Sequence, residues 1–328
     1  MGDKMNKDLF AHNSINKDIS LYPHTPVLLN TVTDCIVTDP YGIYVDCTAG
    51  SGGHSEAILK RLAPEGKLLC LDQDAGAIAF IKERFENFSN QVRIIQAPFA
   101  DLSGVLVLLG IKKVNGLLMD LGMSSWQIDS SGRGFSFIRN EPLDMRMNSE
   151  NKVSAKTLLE NISEHDLTAL IKNYGEERKA KYIAKAIIRE RNAKPIVTTE
   201  HLKSIVESVI PYRINGRNPA TKTFQAIRIA VNNELEQLEK ILAKVPDLLN
   251  REGRVAVLSY HSLEDRIVKQ TMTKWEYGCT CPTNLAKCMC GFTAKMKRVF
   301  FKGIKPDSNE IETNPRSRSA ILRVSEKL

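Results

Sequence analysis

No uninterrupted apolar run in the chain approaches the roughly 20 residues needed to cross a bilayer. The first twenty residues, Met1 to Ser20, mix Lys, Asp and Asn and lack the apolar centre of a secretory signal, so a cytosolic protein with no membrane partner is expected. Cysteine is sparse and odd in number, seven in 328 residues. Cys35, Cys47 and Cys70 stand in apolar segments where a reduced thiol acts as a small core residue, which excludes a disulfide scaffold. There is no internal repeat and no low-complexity tract. With 42% hydrophobic and 26% charged residues, extended disorder is excluded as well. Aromatics make up only 6% and form no rich platform for stacking single-stranded bases, leaving isolated rings such as Phe135, Phe137 and Trp126. What the chain does have is a modest basic excess, 46 Lys plus Arg against 38 Asp plus Glu, a net charge of +8. That balance favours an anionic partner, but its weight depends on where the charges cluster.

Residues 1–21 are expected to be a flexible polar arm, after which His24-Thr25-Pro26-Val27-Leu28-Leu29 begins the patterned sequence. Short apolar runs at Ile43–Asp46, Leu68–Asp72, Val92–Gln96 and Leu117–Leu121 alternate with segments of helical length, the signature of βαβ units in a parallel sheet. Beyond Gly122 the period changes. Leu167, Leu170, Ile171 and Tyr174, then Leu202, Ile205, Val206 and Val209, follow the i, i+3, i+4, i+7 spacing of helices. Asn218-Pro219 opens a further long helix carrying Ile227, Val231, Leu235, Leu238 and Leu242 on one side. Strand-like Arg254–Tyr260 resumes the sheet, and Arg298–Lys302 and Ala320–Val324 are candidates for antiparallel edge pairing. The economical architecture is a doubly wound α/β domain, residues 22–131 and 219–328, interrupted by a mainly helical insertion at 132–218.

The first strand, Ile43–Asp46, runs into Cys47-Thr48-Ala49-Gly50-Ser51-Gly52-Gly53-His54 and then a helix-compatible segment. Glycines there let the backbone take positive φ and let a ligand approach closely. Asp72 closes the next strand about 20 residues on, where such folds hydrogen-bond ribose hydroxyls, and is the leading ribose ligand. A glycine turn alone is as often purely structural. The spacing also departs from the G-x-G-x-x-G fingerprint that makes room for pyrophosphate, and Asp46 precedes it. Both features favour S-adenosylmethionine, whose ammonium an acidic turn can accept and which carries no phosphates. The fourth strand ends in Asp120, and Leu121 to Gln127 then border the crevice at the carboxyl edge of such a sheet. A strand-end Asp is often only a cap for the next helix.

At these residues a family resemblance becomes close. His24–Leu29, Gly50–Ser55, Asp120–Ser125, Arg133–Phe137, Pro142–Met147, Tyr174–Arg178, Thr223–Arg228 and His261–Arg266 together resemble the bacterial 16S ribosomal RNA cytosine-N4 methyltransferases, from about residue 22 to the end. The resemblance implies a class I, Rossmann-like S-adenosylmethionine-dependent methyltransferase sheet with an inserted helical domain that recognises RNA. It implies S-adenosylmethionine as donor and a decoding-centre cytosine, numbered 1402 in the 16S RNA of the small subunit, as target. It also implies that Gly52, Gly53, His54, Asp72, Phe99, Asp120 and Gln127 hold the donor. Trp126 and the Cys-rich segment fall at variable places of the family pattern.

Transfer from a sulfonium is an in-line displacement, and cytosine N4 is a poor nucleophile because its lone pair is conjugated with the ring. An acceptor for the amine N–H would favour the reactive form; Asp120, Ser124 and Asp144 are the candidates. His54 is more readily a shaper of the site than a base, and His261 and Asp265 either line the pocket or organise a turn. For RNA, Arg178, Lys181, Lys185 and Arg189 oppose an apolar face of one helix, and Arg213–Arg217 with Arg316, Arg318 and Arg323 add to the basic surface; a solvated face is the plain alternative. Cys279, Cys281, Cys288 and Cys290 have a C-x-C spacing that leaves a four-thiolate zinc site and free thiols both open. Two rival functions also stay open: a nicotinamide-dependent oxidoreductase, separable by calorimetry with both cofactors, and a non-catalytic RNA-binding assembly factor.

Overall fold

The computed structural model describes residues 26–129, 131–212, 216, 218–279, 281 and 289–328. The expected amino-terminal arm, most of the Arg213–Arg217 loop and Cys288 therefore lie outside the described residues. The chain alternates in its first part: α1 (Leu29–Ile36), β1 (Ile43–Asp46), α2 (Gly53–Leu59), β2 (Lys67–Asp72), α3 (Ala75–Arg84), β3 (Val92–Gln96), α4 (Leu102–Leu108), β4 (Val114–Asp120) and α5 (Ser125–Asp129). Helices follow: α6 (Ala155–Asn161), α7 (Glu164–Gly175), α8 (Ala180–Ala193), α9 (Thr199–Val209), α10 (Ala220–Asn232), α11 (Glu234–Leu242) and α12 (Val245–Leu248). The sheet then resumes with β5 (Leu249–Ser259), α13 (Ser262–Tyr277), β6 (Met296–Arg298), α14 (Ser308–Thr313) and β7 (Ile321–Lys327).

The seven strands form one sheet in the order β3-β2-β1-β4-β5-β7-β6. The first five are parallel; β7 inserts antiparallel beside β5, and β6 pairs antiparallel with β7. This is the class I, Rossmann-like arrangement expected above. The expected edge strand at 298–302 is shifted to Met296–Arg298. Apolar side chains alternate across the sheet. Val45, Leu69, Leu117 and Val257 pack with α4, α11 and α13 on one face, while Tyr44, Leu68, Leu118 and Leu258 pack with α1, α2 and α3 on the other. Cys35, Cys47 and Cys70 are all buried, as their apolar surroundings require.

Helices α6 to α10 form a third core of their own, with Leu167, Ile171, Ile183, Ile187, Leu202 and Val206 inside. The single long helix expected from Asn218 onward is instead broken. Asn218 does cap it, its Oδ1 accepting the Ala220 N–H at 2.8 Å. At Asn233, however, φ is +50°, which ends α10 and redirects the chain into α11. The break lets one amphipathic pattern serve two cores. Ala220, Phe224, Ile227 and Val231 pack into the helical core, whereas Leu238, Ile241 and Leu242 pack onto the sheet. Residues 220–232 thus pack with the insertion, beyond the boundary at 218 that the sequence pattern suggested.

Candidate active site

The parallel strands bring their carboxyl ends to one edge, and a cavity of about 320 Å³ opens there between the glycine turn, the β4 end and the insertion. Its volume lies in the range of small-molecule sites. The turn is built by β1. Asp46, 1% exposed, accepts the Ser55 hydroxyl at 2.6 Å and the Thr48 N–H at 3.1 Å. Burial pushes its carboxyl above the usual carboxylate range, against those two hydrogen bonds. Asp46 therefore organises the turn from inside and does not face a ligand, contrary to the expectation of an acidic turn open to an ammonium. Gly52 sits at φ +82°, a conformation costly for any residue with a Cβ. It is turned toward Phe85 and Ile81 and does not line the cavity. Gly53 does line it, and a Cβ there would lie 2.3 Å from Pro26, so its absence lets the incoming chain rest on α2.

Asp72, half-buried at the end of β2, stands on the cavity wall with one oxygen accepting the Gly50 N–H at 2.9 Å and the other the Asp74 N–H at 2.8 Å. Each oxygen keeps a second lone pair for a ligand hydroxyl. Desolvation pushes the carboxyl up to about 6, although those backbone donors oppose the rise. Phe99, from the turn after β3, lines the same wall. Gln127 lines it too, but its amide is fixed by the protein: Nε2 donates to Asp74 at 2.9 Å and Oε1 accepts the Ser124 N–H at 3.1 Å. Its part is to hold the Ser124 loop in place.

Asp120 ends β4 on the cavity wall. Thr48 Oγ1 accepts its N–H at 2.7 Å, tying β4 to the glycine turn, and its Oδ1 accepts the Tyr260 hydroxyl at 2.7 Å. Its Oδ2 lies 3.6 Å from Nε2 of His54, a side chain only 5% exposed with neither ring nitrogen hydrogen-bonded among the described residues. Burial and the neighbouring Asp120 charge raise the Tyr260 phenol well above its ordinary value, so it stays a donor. Ser124 is also at the cavity, its Oγ accepting the Gln127 N–H at 3.2 Å. Asp144 is not at the cavity. Its carboxylate is held by Arg146 in two hydrogen bonds of 2.7 and 2.8 Å, and although burial raises it, that partner keeps it below the usual range. The structure thus brings Asp120 and Ser124 together and leaves Asp144 in a structural ion pair.

Several groups at the site escape sequence reading. Tyr260 follows β5, the strand beside β4, so the topology alone carried a signal for it. Arg228 and Glu234, each about 10% exposed, flank the break at Asn233, form a bidentate pair with two contacts of 2.8 Å and line the cavity. His261 caps α13 and also lines the cavity, whereas Asp265 is paired with Arg323 at 2.7 Å. Arg133 ties the insertion to the sheet: it pairs with buried Asp74 and its guanidinium sits 5.3 Å from the Trp126 ring centre and 5.4 Å from that of Phe135. Phe137 stacks edge-on against Phe224. These rings are therefore engaged within the protein. Two exposed rings of the helical part, Tyr182 (68%) and Tyr212 (54%), stand beside a groove lined by Lys179, Lys185 and Arg189.

The residues present suit S-adenosylmethionine: Asp72 offers carboxylate lone pairs to hydroxyl groups, Gly50 and Gly53 present bare backbone to the cavity, and the His54 imidazole and the Asp120 carboxylate, 3.6 Å apart, offer polar atoms to a charged group. Sheet order, glycine turn and paired strand-end acids define a class I methyltransferase that uses S-adenosylmethionine. The chain belongs to the MraW methylase family, whose sequence profile matches residues 21–328. It is 46% identical over 308 residues to ribosomal RNA small subunit methyltransferase H of Caldicellulosiruptor saccharolyticus, covering 94% of this chain and 100% of that protein. The enzyme of the same name from Clostridium botulinum is 44% identical over 308 residues, covering 94% and 99%. Among solved structures, an rRNA methylase from Streptococcus thermophilus has 11% identity and a TM-score of 0.40, with 92% and 93% covered. Membership of a methylase family sets the oxidoreductase reading aside.

Proposed function

We propose that this methyltransferase acts on 16S ribosomal RNA in the small ribosomal subunit and methylates the exocyclic N4 of a cytosine, the one numbered 1402 by resemblance to the family. The observation that carries the reading is the Asp120 carboxylate, pinned by Tyr260 at 2.7 Å and facing a cavity shared by the glycine turn and the insertion. Bound S-adenosylmethionine would supply an electrophilic methyl group on a sulfonium. Asp120 accepts an N–H of the cytosine amine, which frees the lone pair for in-line attack, and it stabilises the positive charge that develops on nitrogen. Ser124, on the same loop, positions the base. The target must be unpaired or flipped to bring N4 into this cavity. Methyl transfer from labelled donor to small-subunit RNA, followed by nucleoside analysis, tests the reading. N4-methylcytidine is expected; a methyl on ring carbon or ribose overturns the N4 assignment, and no transfer at all favours a non-catalytic assembly factor.

The insertion supplies the RNA surface. Along α8, Ala180, Ile183, Ala184 and Ile187 are buried while Lys181, Lys185 and Arg189 are exposed. Exposed Tyr182 and Tyr212 beside Lys179 and Lys185 combine a stacking face with phosphate contacts, a pairing suited to single-stranded nucleic acid. Replacing Lys179, Lys185 and Arg189 together by Gln should weaken RNA binding across sequences and lower the slope of log affinity against log salt by about 2, roughly 0.7 per lost phosphate contact. Donor affinity should stay the same. An unchanged salt slope in filter binding would leave this stripe a solvated face.

A further inference from the structure

We propose that Cys279, Cys281 and Cys290 form a structural metal site for zinc at the edge of the sheet, apart from the methyl-transfer cavity. Their sulfur atoms all lie within 4.8 Å of one another, although the residues are separated by up to eleven positions. Sγ of Cys279 and Sγ of Cys290 are 3.6 Å apart. Thiolates bound tetrahedrally at zinc–sulfur distances of about 2.3 Å stand about 3.8 Å from each other, so the spacing suits a shared ion. The backbone supports it. The Met289 N–H donates to Cys281 Sγ at 3.2 Å, the kind of outer hydrogen bond that steadies a bound thiolate. Gly291 follows Cys290 at φ +67°, turning the chain back directly behind the third sulfur.

The position gives the metal its work. α13 has 16 residues and so spans about 24 Å; His261 caps it at the cavity, and Cys279 lies just past its other end. A metal there is too distant for the chemistry. What it does is tie the chain leaving α13 to the chain entering β6. Those two segments already touch: a Cβ on Gly278 would lie 2.6 Å from the Phe292 ring, and Glu276 accepts from Arg298 at 2.5 Å. β6 is three residues long and, among the described residues, pairs with β7 alone, so a thiolate-bound ion between α13 and β6 secures the weakest edge of the sheet. A closed structural site takes one further protein donor in the fourth position.

The test uses the full chain purified under reducing conditions. Elemental analysis and native mass spectrometry should find about one zinc per chain. Replacing it with Co²⁺ should give intense visible d–d bands and thiolate-to-metal charge transfer in the near ultraviolet. Cys279→Ser and Cys290→Ser should each lower bound metal about tenfold or more and remove those bands while S-adenosylmethionine binding persists, which shows that the variants are folded. Metal content far below one per chain with no cobalt–thiolate bands on reconstitution overturns the proposal. So do bands that survive both substitutions, or a Cys279–Cys290 disulfide found in protein kept reduced.

Discussion

Asp120→Asn is expected to slow the methyl-transfer step by roughly 10²–10³-fold, the range seen when one preorganised charge or dipole at a transition state is removed. The substitution keeps the shape of the site. An amide oxygen can still accept the Tyr260 hydroxyl that now bonds Oδ1 at 2.7 Å, and the backbone N–H remains on Thr48 Oγ1. The amide nitrogen replaces Oδ2, 3.6 Å from His54 Nε2, where one unpartnered ring nitrogen can receive it. What disappears is the negative charge and the acceptor facing the amine. Donor affinity should therefore change only moderately while the single-turnover rate at saturating donor and RNA collapses. Tyr260→Phe provides the comparison: it removes the group that aims Asp120, and a loss of roughly ten- to a hundredfold is expected, the worth of one hydrogen bond to a charged group. A normal single-turnover rate for Asp120→Asn would refute the charge argument.

The features that sequence reading recovered are those written in short segments. β1 and β3 fall on the expected residues, 43–46 and 92–96: β1 because a strand buried on both faces reads as a continuous apolar run, and β3, an edge strand with Arg93 and Gln96 exposed, because Val92, Ile94 and Ile95 still mark it. Asp72 and Asp120 are visible because each ends such a run. The missed features join distant residues. Tyr260 reaches Asp120 across 140 positions and Arg133 reaches Asp74 across 59, and no local spacing encodes either contact. The break at Asn233 was hidden for a different reason: the apolar period of α10 continues in α11, and only the left-handed backbone at one residue sends the two halves to different cores. Asp46 and Asp144 show the converse. Both are acidic and near the motifs, yet one is turned inward onto Ser55 and the other is taken up by Arg146. Arg323, counted among the basic residues of the tail, is held by Asp265 in the same way.

S-adenosylmethionine affinity should fall as the pH drops through about 6, and Asp72 is the reason. Its carboxyl is pushed up to about 6 by desolvation, with the Gly50 and Asp74 N–H groups limiting the rise from the ordinary 3.8. The sign follows from which form binds. Ribose hydroxyls donate to the ionised carboxylate, so the donor and a proton compete for the same group, and affinity is full above pH 6 and declines by up to about tenfold per pH unit below it. Stability of the ligand-free protein runs the other way. A raised carboxyl pKa means the folded state prefers the protonated form, so the contribution of Asp72 to stability is greatest in acid and diminishes as pH rises through about 6. Asp72→Ala removes both effects together. It should weaken donor binding by about ten- to a hundredfold at neutral pH, the loss of a charge-assisted acceptor of roughly 1.5–3 kcal/mol, and flatten the pH profile between 5 and 7. Calorimetric titration in buffers of different ionisation enthalpy measures the affinity and the proton released on binding near pH 6 together. An affinity independent of pH in the unmodified protein, or one unchanged in Asp72→Ala, would remove Asp72 from the ribose site.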